Sequence, residues 1–305
     1  MSVDRLIERI RDFANPTVAG LDPRMEYLPE DLLKKHFDAL GETPEAVAAA
    51  YLEFNKGILD ALQDIVPAVK PQCAFYEALG PAGMETFRQT LLYAAELGYY
   101  VIADAKRGDI GSTARAYSEA FLGTLAIGSA AYTAFPCDAL TVNPYLGSDN
   151  LKEFLKDCDE YGKMVFVLCK TSNPSSIDVQ EMMAGHRPLY KVVAEQADRA
   201  GAKRRGAYGY SPVGVVAGAT HPAQLRALRE EFPHLFFLVP GYGAQGGDVF
   251  DILDAFDRHG RGAVINNSRG IICAWQKAKT GDYAAAARKA AAAMRDRIRK
   301  HVQFF

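Results

Sequence analysis

The stretch YYVIADAKRGDIGSTA, Tyr99 to Ala114, opens as an apolar run and closes in charge. Its first eight residues have the length and the β-branched and aromatic content of a buried parallel strand. Asp104 and Lys106 stand two apart near its end, so on a strand both side chains point to one face. If that face is an interior, a carboxylate and an ammonium are buried together, which is costly unless they pair. A surface charge cluster at a strand end would show the same D-x-K-x-x-D pattern. The apolar run before it and IGSTA after it favour a site.

Seven more runs of this kind flank it. They are TVAGLD (Thr17–Asp22), IVPAVK (Ile65–Lys70), ALTVNP (Ala139–Pro144), MVFVLCK (Met164–Lys170), VGVVAGAT (Val213–Thr220), LFFLVPG (Leu235–Gly241) and AVINNS (Ala263–Ser268). Helical patterns lie between them, among others at Pro81–Leu97, Gly147–Asp159, Pro222–Glu231 and Asp248–Arg258. Eight βα units predict an α/β fold, the (β/α)8 TIM barrel; a doubly wound open sheet is the alternative. Polar residues gather where the runs end: Asp22, Lys70, Asp104 with Lys106, Asn143, Lys170 to Ser172, and Asn266 to Arg269. In a barrel those ends meet at one face, where active sites are built.

Two connections are longer than a barrel needs, from Pro23 to about Asn55 and from Asn173 to about Tyr210. The second carries Lys203, Arg204 and Arg205, either a solvated basic loop or a lid over phosphate. The alanine-rich run Ala284–Ala293, interleaved with Arg288 and Lys289, predicts an amphipathic C-terminal helix. Residues 1–305 are expected to form a single barrel domain ending in that helix.

The length of 305 residues suits a barrel with insertions. With 49% hydrophobic and 24% charged residues the chain is not a disordered one. A formal net charge of -2 implies no general affinity for nucleic acid or membrane, so an anionic ligand must be held by local groups. The N-terminal MSVDRLIERIRDFANP has no apolar signal core, and no run is long and apolar enough to span a bilayer. The five cysteines contain no C-x-x-C pair and read as reduced thiols, which points to a cytoplasmic protein. The six histidines form neither H-x-H nor H-E-x-x-H, so no metal site is expected.

Gly241 to Gly246, GYGAQG, matches the dinucleotide fingerprint G-x-G-x-x-G. A dinucleotide site wants it early, with an acid ending the next strand; here it follows the seventh run, and the next ends in Asn266-Asn267-Ser268. A barrel explains the glycines otherwise, because phosphate commonly binds between the loops after strands seven and eight. Gln245 adds a donor there and Arg269 a fork-shaped cation, unless Arg269 merely makes a surface salt bridge.

The segment VIADAKRGDIGSTA resembles the signature of the orotidine 5'-phosphate decarboxylase family, an aliphatic pair followed by D-x-K-x-x-D-[IV]-[GP]-x-T. The likeness extends, in the family's order, through GLDPR (Gly20–Arg24), VKPQCAFYE (Val69–Glu77), TVNPYLG (Thr141–Gly147), KTSNP (Lys170–Pro174), VPGYGAQGGD (Val239–Asp248) and NSRGI (Asn267–Ile271). It covers roughly residues 10–275 and is nearest to the longer bacterial subfamily.

This resemblance implies decarboxylation of orotidine 5'-monophosphate to UMP in pyrimidine synthesis. Lys106 is similar to the general acid that protonates C6, and Asp104 to the carboxylate beside the substrate carboxylate. Lys70 resembles the lysine that contacts ribose and holds Asp104, and Asp22 the ribose-binding aspartate. Ser172 resembles the serine that reads the pyrimidine; Pro240, Gln245 and Arg269 fall among the substrate contacts, the last two at the phosphate. Asp109, with Ile110 and Thr113, resembles residues donated across a homodimer interface. No electron-sink motif for pyridoxal phosphate or thiamine is present, so no cofactor is expected and the charged residues must stabilise the carbanion. Two rivals remain: a magnesium-dependent sugar-phosphate decarboxylase using the same carboxylates as ligands, and a non-catalytic nucleotide-phosphate sensor.

Overall fold

All eight runs form strands in the computed structural model, which describes residues 1–243 and 247–304. Gln245 lies outside the described residues. The barrel strands, numbered in chain order, are β1 (Thr17–Leu21), β2 (Ala68–Pro71), β3 (Tyr100–Arg107), β4 (Ala139–Val142), β5 (Met164–Lys170), β6 (Val213–Ala217), β7 (Phe237–Val239) and β8 (Ala263–Asn267). Each pairs in parallel with its neighbours in sequence, and β8 closes onto β1 through Ala19↔Asn267. The closed ring is the (β/α)8 TIM barrel and excludes the open sheet.

Alternation along the strands sorts the core into two shells. Val18, Ala68, Ile102, Ala139, Phe166 and Val264 fill the barrel interior, while Ala19, Val69, Val101, Leu140, Val167 and Ile265 pack outward against the helices. The helix Ser2–Phe13 seals the bottom of the barrel. Its Val3, Leu6, Ile7 and Ile10 recur at helical spacing and join the interior cluster. Each such buried side chain contributes about 1.5–3 kcal/mol, an upper figure because the unfolded chain is already partly collapsed.

The helices Gly80–Glu96, Ser148–Tyr161 and Pro222–Glu231 answer three of the predicted patterns, and the alanine-rich run lies in the helix Tyr283–Arg299. The predicted helix Asp248–Arg258 is instead two 3-10 turns, Val249–Asp251 and Leu253–Ala255. Here acidic side chains compete for the backbone: Asp251 Oδ2 accepts from the Asp248 N–H (2.7 Å), and Asp257 Oδ1 accepts from the N–H groups of His259 and Arg261.

The first long connection folds into the helix Glu30–Leu40 and the start of Pro44–Leu62. The second holds the short helix Ile177–Gln180, a two-stranded hairpin (Met183–Ala184 with Arg187–Pro188) and the helix Leu189–Gly201. Its basic triplet is no lid. Arg204 forks onto Asp159 (2.7 and 2.8 Å), and Gly206 lies against Asp4 of the bottom helix, at the end of the barrel away from the charged strand ends.

Candidate active site

Inward positions carried past the core reach the top of the barrel and turn polar. Asp22, Lys70, Gln72, Asp104, Lys106, Thr141, Asn266 and Ser268 keep the inward parity of their strands, and all line one cavity of about 480 Å3. Ser172, Pro240 and Arg269 complete its wall with Arg24, Tyr27 and Tyr242. A volume in this range suits a nucleotide-sized ligand. Gly20 has its place because a Cβ there would stand 1.8 Å from Ser268 Oγ, so β1 and the end of β8 could not close together.

Asp104 sits at the centre of the charge. Its Oδ1 accepts from Lys106 Nζ (2.6 Å) and from the Thr141 hydroxyl (2.9 Å). Its Oδ2 accepts from Lys70 Nζ (2.6 Å) and Gln72 Nε2 (3.0 Å). Lys70 and Asp104 are buried, whereas the Lys106 side chain opens to the cavity at 44% exposure. β3 does not run straight to this point. The β3–β4 register shifts between Ala103 and Arg107, and Lys106 takes a left-handed φ of 49°. Such a conformation costs a non-glycine residue about 1–3 kcal/mol and persists only where its surroundings impose it. The Thr141 hydroxyl does so: it accepts from the Lys106 N–H (2.9 Å) while donating to Asp104.

Burial alone would push the Asp104 carboxyl up, but the Lys70 and Lys106 ammoniums outweigh it and hold Asp104 well below the usual carboxylate range. Burial pulls Lys70 down, and the charges of Asp104 and Asp22 outweigh that in turn, leaving Lys70 raised. Asp22 goes the other way: burial raises it ahead of the lowering by Lys70 and by the Ser268 hydroxyl, and its Oδ1 is buried with no hydrogen-bond partner.

These shifts carry a stability prediction. The depressed Asp104 stabilises the fold above its unfolded pKa, an effect lost as pH falls through its folded value; the raised Lys70 stabilises below its unfolded pKa, an effect lost as pH rises through its folded value. The pair's contribution is therefore level between about pH 5 and 9. Asp104→Asn leaves Lys70 buried beside a neutral partner and is expected to cost about 3–5 kcal/mol at pH 7. The folded variant then binds fewer protons than the unfolded chain, so its stability should climb with pH as Lys70 sheds its charge. Urea unfolding from pH 6 to 9 checks this; a wild-type midpoint at every pH would contradict the buried pairing.

The remaining expected residues divide. Asp109, Ile110 and Thr113 do not line the cavity; Ile110 is 54% exposed, Thr113 lies in the exposed first turn of the helix Gly111–Phe121, and Asp109 Oδ1 accepts from the Ile110 N–H. Asn143 also stays off the cavity, its Oδ1 holding the Tyr145 N–H in a turn. Lys170 turns away as well, because the β5–β6 register shifts at its position. Gln72 and Thr141 were not anticipated. Both were legible as positions two residues along an inward row, but neither carries a charge to draw attention. Among the described residues no three His, Cys, Asp or Glu side chains converge as metal ligands, and no helix is long and apolar enough to cross a membrane.

Comparison with known proteins adds independent findings. Residues 36–289 match the model of the orotidine 5'-phosphate decarboxylase / HUMPS family. The chain is 46% identical over 262 residues to orotidine 5'-phosphate decarboxylase of Rhodopirellula baltica, covering 86% of this chain and 84% of that protein. It is 39% identical over 280 residues to the Caldicellulosiruptor bescii protein of the same name, covering 92% of each. Among solved structures, OMP decarboxylase of Leishmania donovani superposes with a TM-score of 0.70 at 33% identity, over 97% of this chain and 98% of that one.

Proposed function

The chain belongs to the orotidine 5'-phosphate decarboxylase / HUMPS family, and we propose that it converts orotidine 5'-monophosphate to UMP and carbon dioxide using its own side chains alone. The observation that carries this reading is the Lys70–Asp104–Lys106 row on the cavity wall, each contact at 2.6 Å.

Breaking the bond from C6 to the carboxylate leaves an electron pair in the plane of the pyrimidine ring, where no adjacent π-system receives it. The stabilisation must be electrostatic and in place beforehand. Lys106, directed at C6, provides a fixed positive charge as the carbanion forms and then transfers its proton to C6, giving UMP. Asp104, beside the departing carboxylate, keeps both lysines aligned. Lys70 and Asp22 engage the ribose; the unpartnered Oδ1 of Asp22 suits a sugar hydroxyl donor. Ser172 contacts the pyrimidine, Gln245 and Arg269 hold the phosphate end, and Pro240 adds a substrate contact on the cavity wall. Both oxygens of Asp104 already accept from ammoniums, which disfavours the rival in which it ligates magnesium.

Asp109, Ile110 and Thr113 act in the partner's site of a homodimer. Their outward placement supports this, as does the exposed apolar surface of Leu125, Ile127, Tyr132, Tyr145 and Leu146. An isologous dimer then carries two shared sites within one barrel domain per chain. Mixing Lys106→Ala with Asp109→Ala protein is the test. Random reassociation makes half the dimers hybrid, each with one intact site, so activity should return to about a quarter of wild type. If two inactive variants stay inactive after exchange of subunits, Asp109 does not act across the interface.

The activity itself is tested with purified protein and orotidine 5'-monophosphate, where UMP and carbon dioxide should appear in equal amounts. A folded protein that binds the nucleotide and forms no UMP would favour the sensor reading.

A further inference from the structure

A fully buried lysine lies just outside the cavity. Lys170 ends β5 at 1% exposure, and its ammonium faces the second insertion rather than the ligand space. Its Nζ donates to Ser176 Oγ (2.7 Å) and lies 3.1 Å from Glu181 Oε1, both contributed by the insertion. Ser176 Oγ lies 3.3 Å from His221 Nε2, and burial together with the Lys170 charge keeps His221 below its usual pKa. A buried charge is tolerated only when paired and hydrogen-bonded, so these contacts determine where the insertion docks.

The same docking grips the chain that follows Lys170. Gln180 of the insertion accepts from the Thr171 N–H (2.9 Å) and donates to the Thr171 hydroxyl (2.7 Å). The Thr220 hydroxyl donates to the Ser172 carbonyl (3.0 Å). Gly218 packs so closely that a Cβ there would stand 2.9 Å from Ser172 Cα. Residue 172 is thus fixed on both sides while its side chain lines the cavity.

We propose that Lys170 is a positioning residue: through Ser176 and Glu181 it fastens the insertion to the end of β5 and thereby sets Ser172 against the pyrimidine. The insertion is a buttress for the base-reading end of the site. This rests on Ser172 contacting the pyrimidine, as proposed above.

The test is a double-mutant cycle on decarboxylation kinetics, with inorganic phosphate inhibition measured alongside. Ser172→Ala should lower kcat/KM by about 10- to 100-fold, the loss of one buried hydrogen bond to substrate. Lys170→Met should lower it about tenfold alone but less than about twofold in the Ser172→Ala background, because its effect passes through Ser172. Phosphate inhibition, read at the opposite end of the site, should stay unchanged in both. Glu181→Gln keeps the Ser176 bond and should show a smaller loss with the same dependence on Ser172, so the cycle survives if Lys170→Met fails to fold. Full multiplication of the losses, or phosphate binding weakened in step, would mean general loosening and overturn the proposal. A silent Ser172→Ala would instead remove the base-reading role on which it stands.

Discussion

Lys106→Ala should lower UMP formation by about 10^4-fold or more while leaving a folded protein. Two losses combine in that figure. A positioned proton donor supplies about 10^2–10^4-fold, and a preorganised charge beside the developing carbanion supplies about 10^2–10^3-fold more. The fold should survive because the Lys106 side chain is 44% exposed, and because Asp104 keeps Lys70, Gln72 and Thr141 as partners when it is gone. Asp104→Asn is the contrasting variant, since it strands a buried ammonium and must cost stability as well as activity. Single-turnover assays with a thermal melt separate the two. A Lys106→Ala protein within tenfold of wild type would remove the lysine from the chemistry.

Arg269→Ala should cut kcat/KM by about 30- to 5,000-fold, corresponding to about 2–5 kcal/mol for removing one side of a charge-assisted, fork-shaped contact. Arg269 lines the cavity at the end of β8, away from the Lys70–Asp104–Lys106 row, so the loss arises from binding energy and not from the reacting atoms. That energy is useful only if it closes and orders the site around the pyrimidine, in which case kcat falls along with the rise in KM. The control is orotidine without its phosphate. Wild type and variant should then be equally slow, because neither has a phosphate to grip. An equal fold-loss on both substrates would place Arg269 in some other role.

The barrel was legible because buried parallel strands are short, apolar and rich in β-branched or aromatic residues, as most of the eight runs are. The centre of the site was legible for a related reason. Once Tyr100 and Ile102 face inward, Asp104 and Lys106 follow by alternation, and a charge there has no purely structural excuse. What alternation misses is the left-handed turn at Lys106, because it depends on the Thr141 hydroxyl, a residue distant in sequence. Lys170 shows the reverse error. It sits on an inward-parity position, yet the register shift beside β6 turns it into the insertion, and no local pattern announces a shift of that kind. The Asp248–Arg258 segment has helical spacing, but its aspartates hydrogen-bond the backbone and break it into turns. The proposed interface roles of Asp109, Ile110 and Thr113 rest on family likeness, since composition and periodicity describe one chain at a time.

The most direct test of the central claim is turnover in excess EDTA. The protein, exhaustively chelated, is given orotidine 5'-monophosphate and followed by ultraviolet absorbance. Loss of the orotate band at the unchelated rate, with one UMP formed for each substrate consumed, is the expected result, because in the proposed mechanism the paired Lys70–Asp104–Lys106 row supplies both the charge and the proton. Turnover that stops under EDTA and returns with added magnesium would contradict the account and place the carboxylates on a metal.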